Sequence, residues 1–135
     1  MVRVAVIDDS SECIALIAEL LAARGWELWP STTTDGILLR LRRERPDIIL
    51  LDIWLDRQVT GWDLLEELDA DPVLHAVPVI ICSAARNELQ ARADWLAERR
   101  VGVVDKPFDI DDFYRALEEA LGPSQAGSRL TAEQG

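Results

Sequence analysis

A chain of 135 residues can bury the core of one domain, and 49% apolar with 29% charged residues is the balance of a globular fold. A net charge of −11 argues against a nucleic-acid partner, which needs a basic face, and no apolar run reaches the ~20 residues that span a bilayer. The N-terminus enters an apolar run with no signal-peptide pattern, so no membrane association and a cytoplasmic setting are expected, with Cys13 and Cys82 reduced and structural.

Apolar runs then alternate with segments of helical period. Residues 2–8 predict a first strand that stops at Asp8-Asp9. A first helix follows from about Ser11 to Arg24, with Ile14, Ile17, Leu20 and Leu21 on one side. Asp9 followed by Glu12 resembles a capping box, and Gly25 closes the helix. Trp26 to Trp29 predicts a short second strand, and a second helix runs from about Thr33 to Arg45, where Pro46 stops it.

Ile48 to Ile53 is apolar around its one acid, Asp52, as a strand buried on both faces should be. Gly61 opens a third helix that ends near Asp71-Pro72. Val79 to Cys82 predicts a fourth strand leading into Ser83, and a fourth helix spans about Asn87 to Arg99. Val101 to Val104 is the fifth strand, which passes through Asp105 into Lys106-Pro107. A fifth helix, capped by Asp109, continues to Leu121. Residues 1–121 form the expected domain, and 122–135, small and polar without a period, a flexible tail.

This (βα)5 alternation predicts an α/β fold, a doubly wound five-stranded parallel sheet with helices on both faces. Two arginine groups, Arg40, Arg42, Arg43, Arg45 and Arg86, Arg92, Arg99, Arg100, fall on predicted helices. Both read as solvated helix faces, the second also as a candidate partner surface. His75, in a loop after Pro72, reads as a surface residue.

Parallel strands put all their C-terminal ends on one edge, where such sheets bind ligands. Asp8, Asp9, Asp52, Ser83 and Lys106 would meet there. Crowded carboxylates repel one another, and a hard divalent cation such as Mg2+ relieves the repulsion with oxygen ligands. Lys106 adds a fixed positive charge, aimed by the extended backbone that a following proline favours. A metal, an ammonium and a hydroxyl donor such as Ser83 supply the electrostatics of phosphoryl transfer. Asp52, at the end of the central strand, is the candidate nucleophile for an aspartyl phosphate. Plainer readings stand beside these: helix capping for Asp9, metal ligation alone for Asp52, a simple salt bridge for Lys106.

Four motifs carry a resemblance: Val-Ile-Asp8-Asp9, Ile-Ile-Leu-Leu-Asp52, Ile-Ile-Cys-Ser83-Ala84 and Asp-Lys106-Pro107-Phe108. In this order, over about residues 2–121, the chain resembles the receiver domain of two-component response regulators. The resemblance implies a flavodoxin-like strand order 2-1-3-4-5. It implies that Asp52 accepts a phosphoryl group from a phosphohistidine on a sensor histidine kinase or histidine phosphotransfer protein. Asp8 and Asp9, with Asp52 and the backbone carbonyl of Trp54, would hold Mg2+. Ser83 and Lys106 would hold phosphoryl oxygens, and Ala84 would leave room for the group. No metabolic substrate is implied, only self-phosphorylation and its reversal. Output would pass to an unidentified downstream protein through the fourth helix, fifth strand and fifth helix, a face that could also form a homodimer.

The sequence departs from that pattern in places. Asp56 stands where the family usually has proline, and the stretch from Asp52 to Gly61 is one residue longer than usual. Val103, three residues before Lys106, occupies the position of an aromatic switch residue and reads as a buried valine. Trp54 and Ala85, two residues after Asp52 and Ser83, offer no group to orient water, so slow autodephosphorylation is expected. Two other functions compete: a haloacid-dehalogenase-type phosphohydrolase and a receiver-fold binding module that is never phosphorylated. The first needs an Asp-x-Asp pair, which neither Asp8-Asp9 nor Asp52-Ile53-Trp54 supplies.

Overall fold

The computed structural model describes residues 1–55 and 60–122. Asp56 and nearly all of the expected tail lie outside these residues. Among the described residues, five strands and six helices follow in the order β1 (Arg3–Ile7), α1 (Ser11–Ala23), β2 (Glu27–Ser31), α2 (Ile37–Glu44), β3 (Ile48–Leu51), α3 (Gly61–Ala70), β4 (Val79–Ser83), α4 (Arg86–Ala91), α5 (Ala93–Glu98), β5 (Gly102–Asp105) and α6 (Ile110–Leu121). All strand pairs are parallel, and the order across the sheet is β2-β1-β3-β4-β5, as expected.

Strand side chains alternate between two cores. Ala5, Ile7, Ile49, Leu51 and Ile81 face one side, against α2, α3, α4 and α5. Val4, Val6, Ile48, Leu50, Ile80 and Val104 face the other, against α1 and α6. All four residues of β3 are buried, which is why that run carries no polar residue until Asp52. Cys82 joins the second core, and burial pushes its thiol up to about 12, so it stays a protonated core residue.

Several local expectations change. The N-cap of α1 is Ser10, not Asp9: its side chain accepts from Cys13 N–H, and Asp8 Oδ1 accepts from Ser10 N–H at 2.9 Å. A full capping box instead opens α3, between Thr60 and Asp63. α2 begins at Ile37 rather than Thr33, because Gly36 takes a left-handed conformation (φ 60°) and Thr33 is spent on a turn, accepting from Asp35 N–H. Asp109 does cap α6, accepting from Asp111 and Asp112 N–H.

The fourth predicted helix is broken at Arg92 into α4 and α5. The guanidinium of Arg92 lies over Trp62 at 4.4 Å, and that of Arg99 over Trp95 at 4.0 Å. The two indoles meet edge to face at 6.1 Å, which joins α3 to α5. All four arginines of the second group are exposed, as expected for a solvated face, and two of them also lie over tryptophan rings. In the first arginine group, Arg42 pairs with buried Asp71, whose carboxyl it holds down at about 2, while Arg40 lies over Trp29 at 4.9 Å. His75 is exposed, as expected for a loop residue.

Candidate functional site

The register decides which side chains meet. Ile7 pairs with Leu51 across β1 and β3, so the next residues, Asp8 and Asp52, emerge side by side at the C-terminal edge. Asp8 N–H donates to Ser31 O and Asp52 N–H to Ile7 O, each at 3.1 Å, so both acids sit on backbone continued from the sheet. Ser83 pairs with Asp105, and Lys106 N–H donates back to Ser83 O at 3.0 Å. That bond turns Lys106 inward over the end of β4; its peptide bond to Pro107 is cis.

The ammonium of Lys106 bridges two strands. Nζ donates to Asp8 Oδ2 at 2.6 Å and to Asp52 Oδ2 at 3.2 Å. Asp8 and Asp52 are buried and Asp9 is exposed. Burial alone would lower the pKa of Lys106, but the bond to Asp8 and the charges of Asp52 and Asp8 outweigh it, and the net shift is upward. The lysine is a permanent cation here. One oxygen from each of Asp8, Asp9 and Asp52 lies within 4.8 Å of the others. Three carboxylates against one ammonium leave negative charge in excess, and their hard oxygens suit a small divalent cation.

The other sequence-derived residues border this centre. Ser83 is fully buried, and its Oγ accepts from Ala85 N–H at 3.2 Å. Ala84 is exposed. Trp54 N–H donates to Asp52 Oδ1 at 3.3 Å, while its indole is 57% exposed and donates from Nε1 to Glu88 Oε2 at 3.1 Å. Val103 corrects an expectation: it is 41% exposed, not buried. It borders a groove of about 630 Å³ between β5 and the α4–α5 pair, with Leu89, Leu96 and Ala93 among its walls.

Two contributors were missed in the sequence. Gly61 N–H donates to Ile53 O at 2.6 Å, and a Cβ at Gly61 would collide with Asp52 O and lie 2.6 Å from Ile53 Cα. The start of α3 thus presses on the chain as it leaves β3, where only glycine fits. Its sequence signal was the helix-opening glycine itself, read there only as punctuation. Glu88 had no signal, because its partner Trp54 is 34 residues away.

Fold and site together define a doubly wound α/β domain that gathers acids and a lysine at the carboxyl edge of its sheet. The chain belongs to the response regulator receiver domain family, whose sequence model matches residues 4–118. It is similar to the nitrogen assimilation regulatory protein NtrX of Azorhizobium caulinodans, 31% identical over 117 residues that cover 86% of this chain and 25% of that protein. Among solved structures, the receiver domain of NtrX from Brucella abortus superimposes with a TM-score of 0.75 at 27% identity, covering 87% of this chain and 97% of that one. The receiver domain of the sensor histidine kinase PA1611 from Pseudomonas aeruginosa, solved with a magnesium ion in its active site cleft, gives a TM-score of 0.74 at 22% identity, covering 89% and 97%. This chain spans 25% to 55% of the length of the first curated relatives it matches. The Asp8, Asp9 and Asp52 cluster matches the Mg2+ site of receiver domains. Among the described residues, no helix is long and apolar enough to cross a membrane.

Proposed function

We propose that Asp52 is the phosphoacceptor of this receiver and that Lys106 is its fixed counter-charge. The observation that carries this reading is the Lys106 ammonium, shared between Asp8 and Asp52 in a crevice whose carboxylates outnumber its cations. A carboxylate oxygen of Asp52 attacks phosphorus, the P–N bond to the donor histidine breaks, and the imidazole leaves with the bonding pair. Lys106 and the Ser83 hydroxyl receive equatorial phosphoryl oxygens; Ser83 donates its O–H to the phosphoryl group while its Oγ still accepts from Ala85 N–H. Exposed Ala84 leaves space beside them. Asp8, Asp9, Asp52 and the Trp54 carbonyl would hold Mg2+, which neutralises charge on the transferring group when bound.

The donor is a sensor histidine kinase or a histidine phosphotransfer protein, and the setting is cytoplasmic. Self-phosphorylation and a slow return are the chain's only chemistry, since neither Trp54 nor Ala85 offers a group that orients water. Output passes to a downstream protein across α4, β5 and α6, where Val103 and its groove leave apolar surface uncovered, and the same face serves a homodimer.

Phosphoramidate tests the reading, because it carries the same P–N bond as phosphohistidine. Incubation with phosphoramidate and Mg2+ is expected to add one phosphoryl group that alkali and hydroxylamine release, absent in Asp52→Asn. Steady release of phosphate from monoesters, without a trapped adduct, would favour a phosphohydrolase instead. No adduct from phosphoramidate or from a phosphohistidine protein would favour a binding module that is never phosphorylated.

A further inference from the structure

Trp54 has contacts in two directions. Its backbone N–H reaches the acceptor at Asp52 Oδ1, and its indole N–H reaches Glu88 in the first turn of α4. More than half of this side chain is open to solvent, so packing does little to hold the ring in place. The hydrogen bond to Glu88 is the directional contact that fixes it. That bond ties the loop leaving β3 to α4 beside the crevice.

α4 is poorly secured at its own start. It has six residues, and its N-cap, Ala85, supplies no side-chain bond. A helix that short has little intrinsic stability. Two hydrogen bonds tie its start to groups beside the acceptor: Ser83 Oγ takes Ala85 N–H, and Glu88 takes the Trp54 indole.

Resting on the phosphoacceptor reading, we infer that Glu88 is a positioning residue: it holds the Trp54 indole across the rim between β3 and α4 and so sets how fast water reaches a phosphoryl group on Asp52. The contact that shields the phosphoryl group thus depends on where α4 lies. A protein that displaces α4 frees the indole and shortens the life of the phosphorylated state. This link runs over the loops at the sheet edge and does not pass through Val103.

The test loads the whole chain from acetyl phosphate with Mg2+, removes the donor, and follows loss of the adduct by intact mass. Glu88→Ala is expected to hydrolyse about 2- to 10-fold faster than wild type, the span set by the net contribution of one hydrogen bond. Glu88→Gln keeps an oxygen acceptor and should stay within about twofold of wild type. Trp54→Phe keeps a ring but loses the N–H donor, and should match Glu88→Ala. The double variant should add nothing further, because both changes remove one interaction. Glu88 is exposed, so its variants are expected to fold, and equal thermal melts check this. A wild-type rate in Glu88→Ala overturns the inference. Loss in Glu88→Gln equal to that in Glu88→Ala does so too, since charge rather than the bond would then matter, as do additive effects in the double variant. A wild-type chain that accepts no phosphoryl group overturns the phosphoacceptor reading and this inference with it, and that failure is visible before any decay is followed.

Discussion

Lys106 and Val103 are three residues apart in sequence, yet they stand in differently built regions. Around Lys106 every contact is specified: the ammonium bridges two buried carboxylates, Asp52 Oδ1 takes Trp54 N–H, and Gly61 closes against the backbone behind. Around Val103 little is specified: the side chain is 41% exposed at the edge strand, and the groove beside it is walled partly by small residues such as Ala93 and Ala97. The charged centre is fixed by electrostatics that tolerate little movement. The outer face of β5 is left free to be covered by something else. The difference teaches that two regions three residues apart in sequence can be built under constraints that are hardly shared.

The largest break in that comparison should come from Lys106→Ala. Losing a charged donor aimed at the transferring group is expected to slow phosphorylation by acetyl phosphate about 10²- to 10³-fold, read from the rate of adduct formation. Mg2+ should sharpen the same region in a different way. At about a hundredfold its Kd, Mg2+ is expected to stabilise the domain by about 2.7 kcal/mol in urea titrations. Asp9→Asn should remove most of that gain while melting no lower than wild type without Mg2+, because it relieves repulsion among the acids. An unchanged response to Mg2+ in Asp9→Asn would take Asp9 out of the cation site. Gly61→Ala should come next, costing about 1–3 kcal/mol by forcing backbone apart at Asp52, with slower phosphorylation at the same time. The smallest effect belongs to the other region. Val103→Ala is expected to change stability by less than about 0.5 kcal/mol and to leave the phosphorylation rate alone. A large fall in that rate would show that the two regions are not independent.

Sequence reading served the specified region better than the open one. The alternation of strands and helices, the all-buried run of β3 and the meeting of Asp8, Asp9, Asp52 and Lys106 follow from local pattern plus the rule that parallel strands end together. The break at Arg92 was hidden because Leu89 and Leu96 keep one helical period across it, and both are buried. At the break Arg92 leaves helical geometry (φ −111°, ψ 17°), and its guanidinium stacks on Trp62, a contact that periodicity does not report. Ser10 took the capping role assigned to Asp9 because Asp8 turns back onto Ser10 N–H, a bond that periodicity does not report. Val103 was misread for a similar reason. An apolar strand residue looks buried until one sees that β5 lies at the sheet edge and that α4 and α5 leave its outer face uncovered.

The central claim is that Asp52, held by Lys106 among Mg2+-binding acids, takes a phosphoryl group. The direct measurement is intact mass after incubation with acetyl phosphate, with Mg2+ or with excess chelator, for wild type and Asp52→Asn. The account expects a single phosphoryl adduct in wild type with Mg2+, little or none with chelator, and none in Asp52→Asn. An adduct of equal yield in Asp52→Asn, or in wild type stripped of Mg2+, would contradict it.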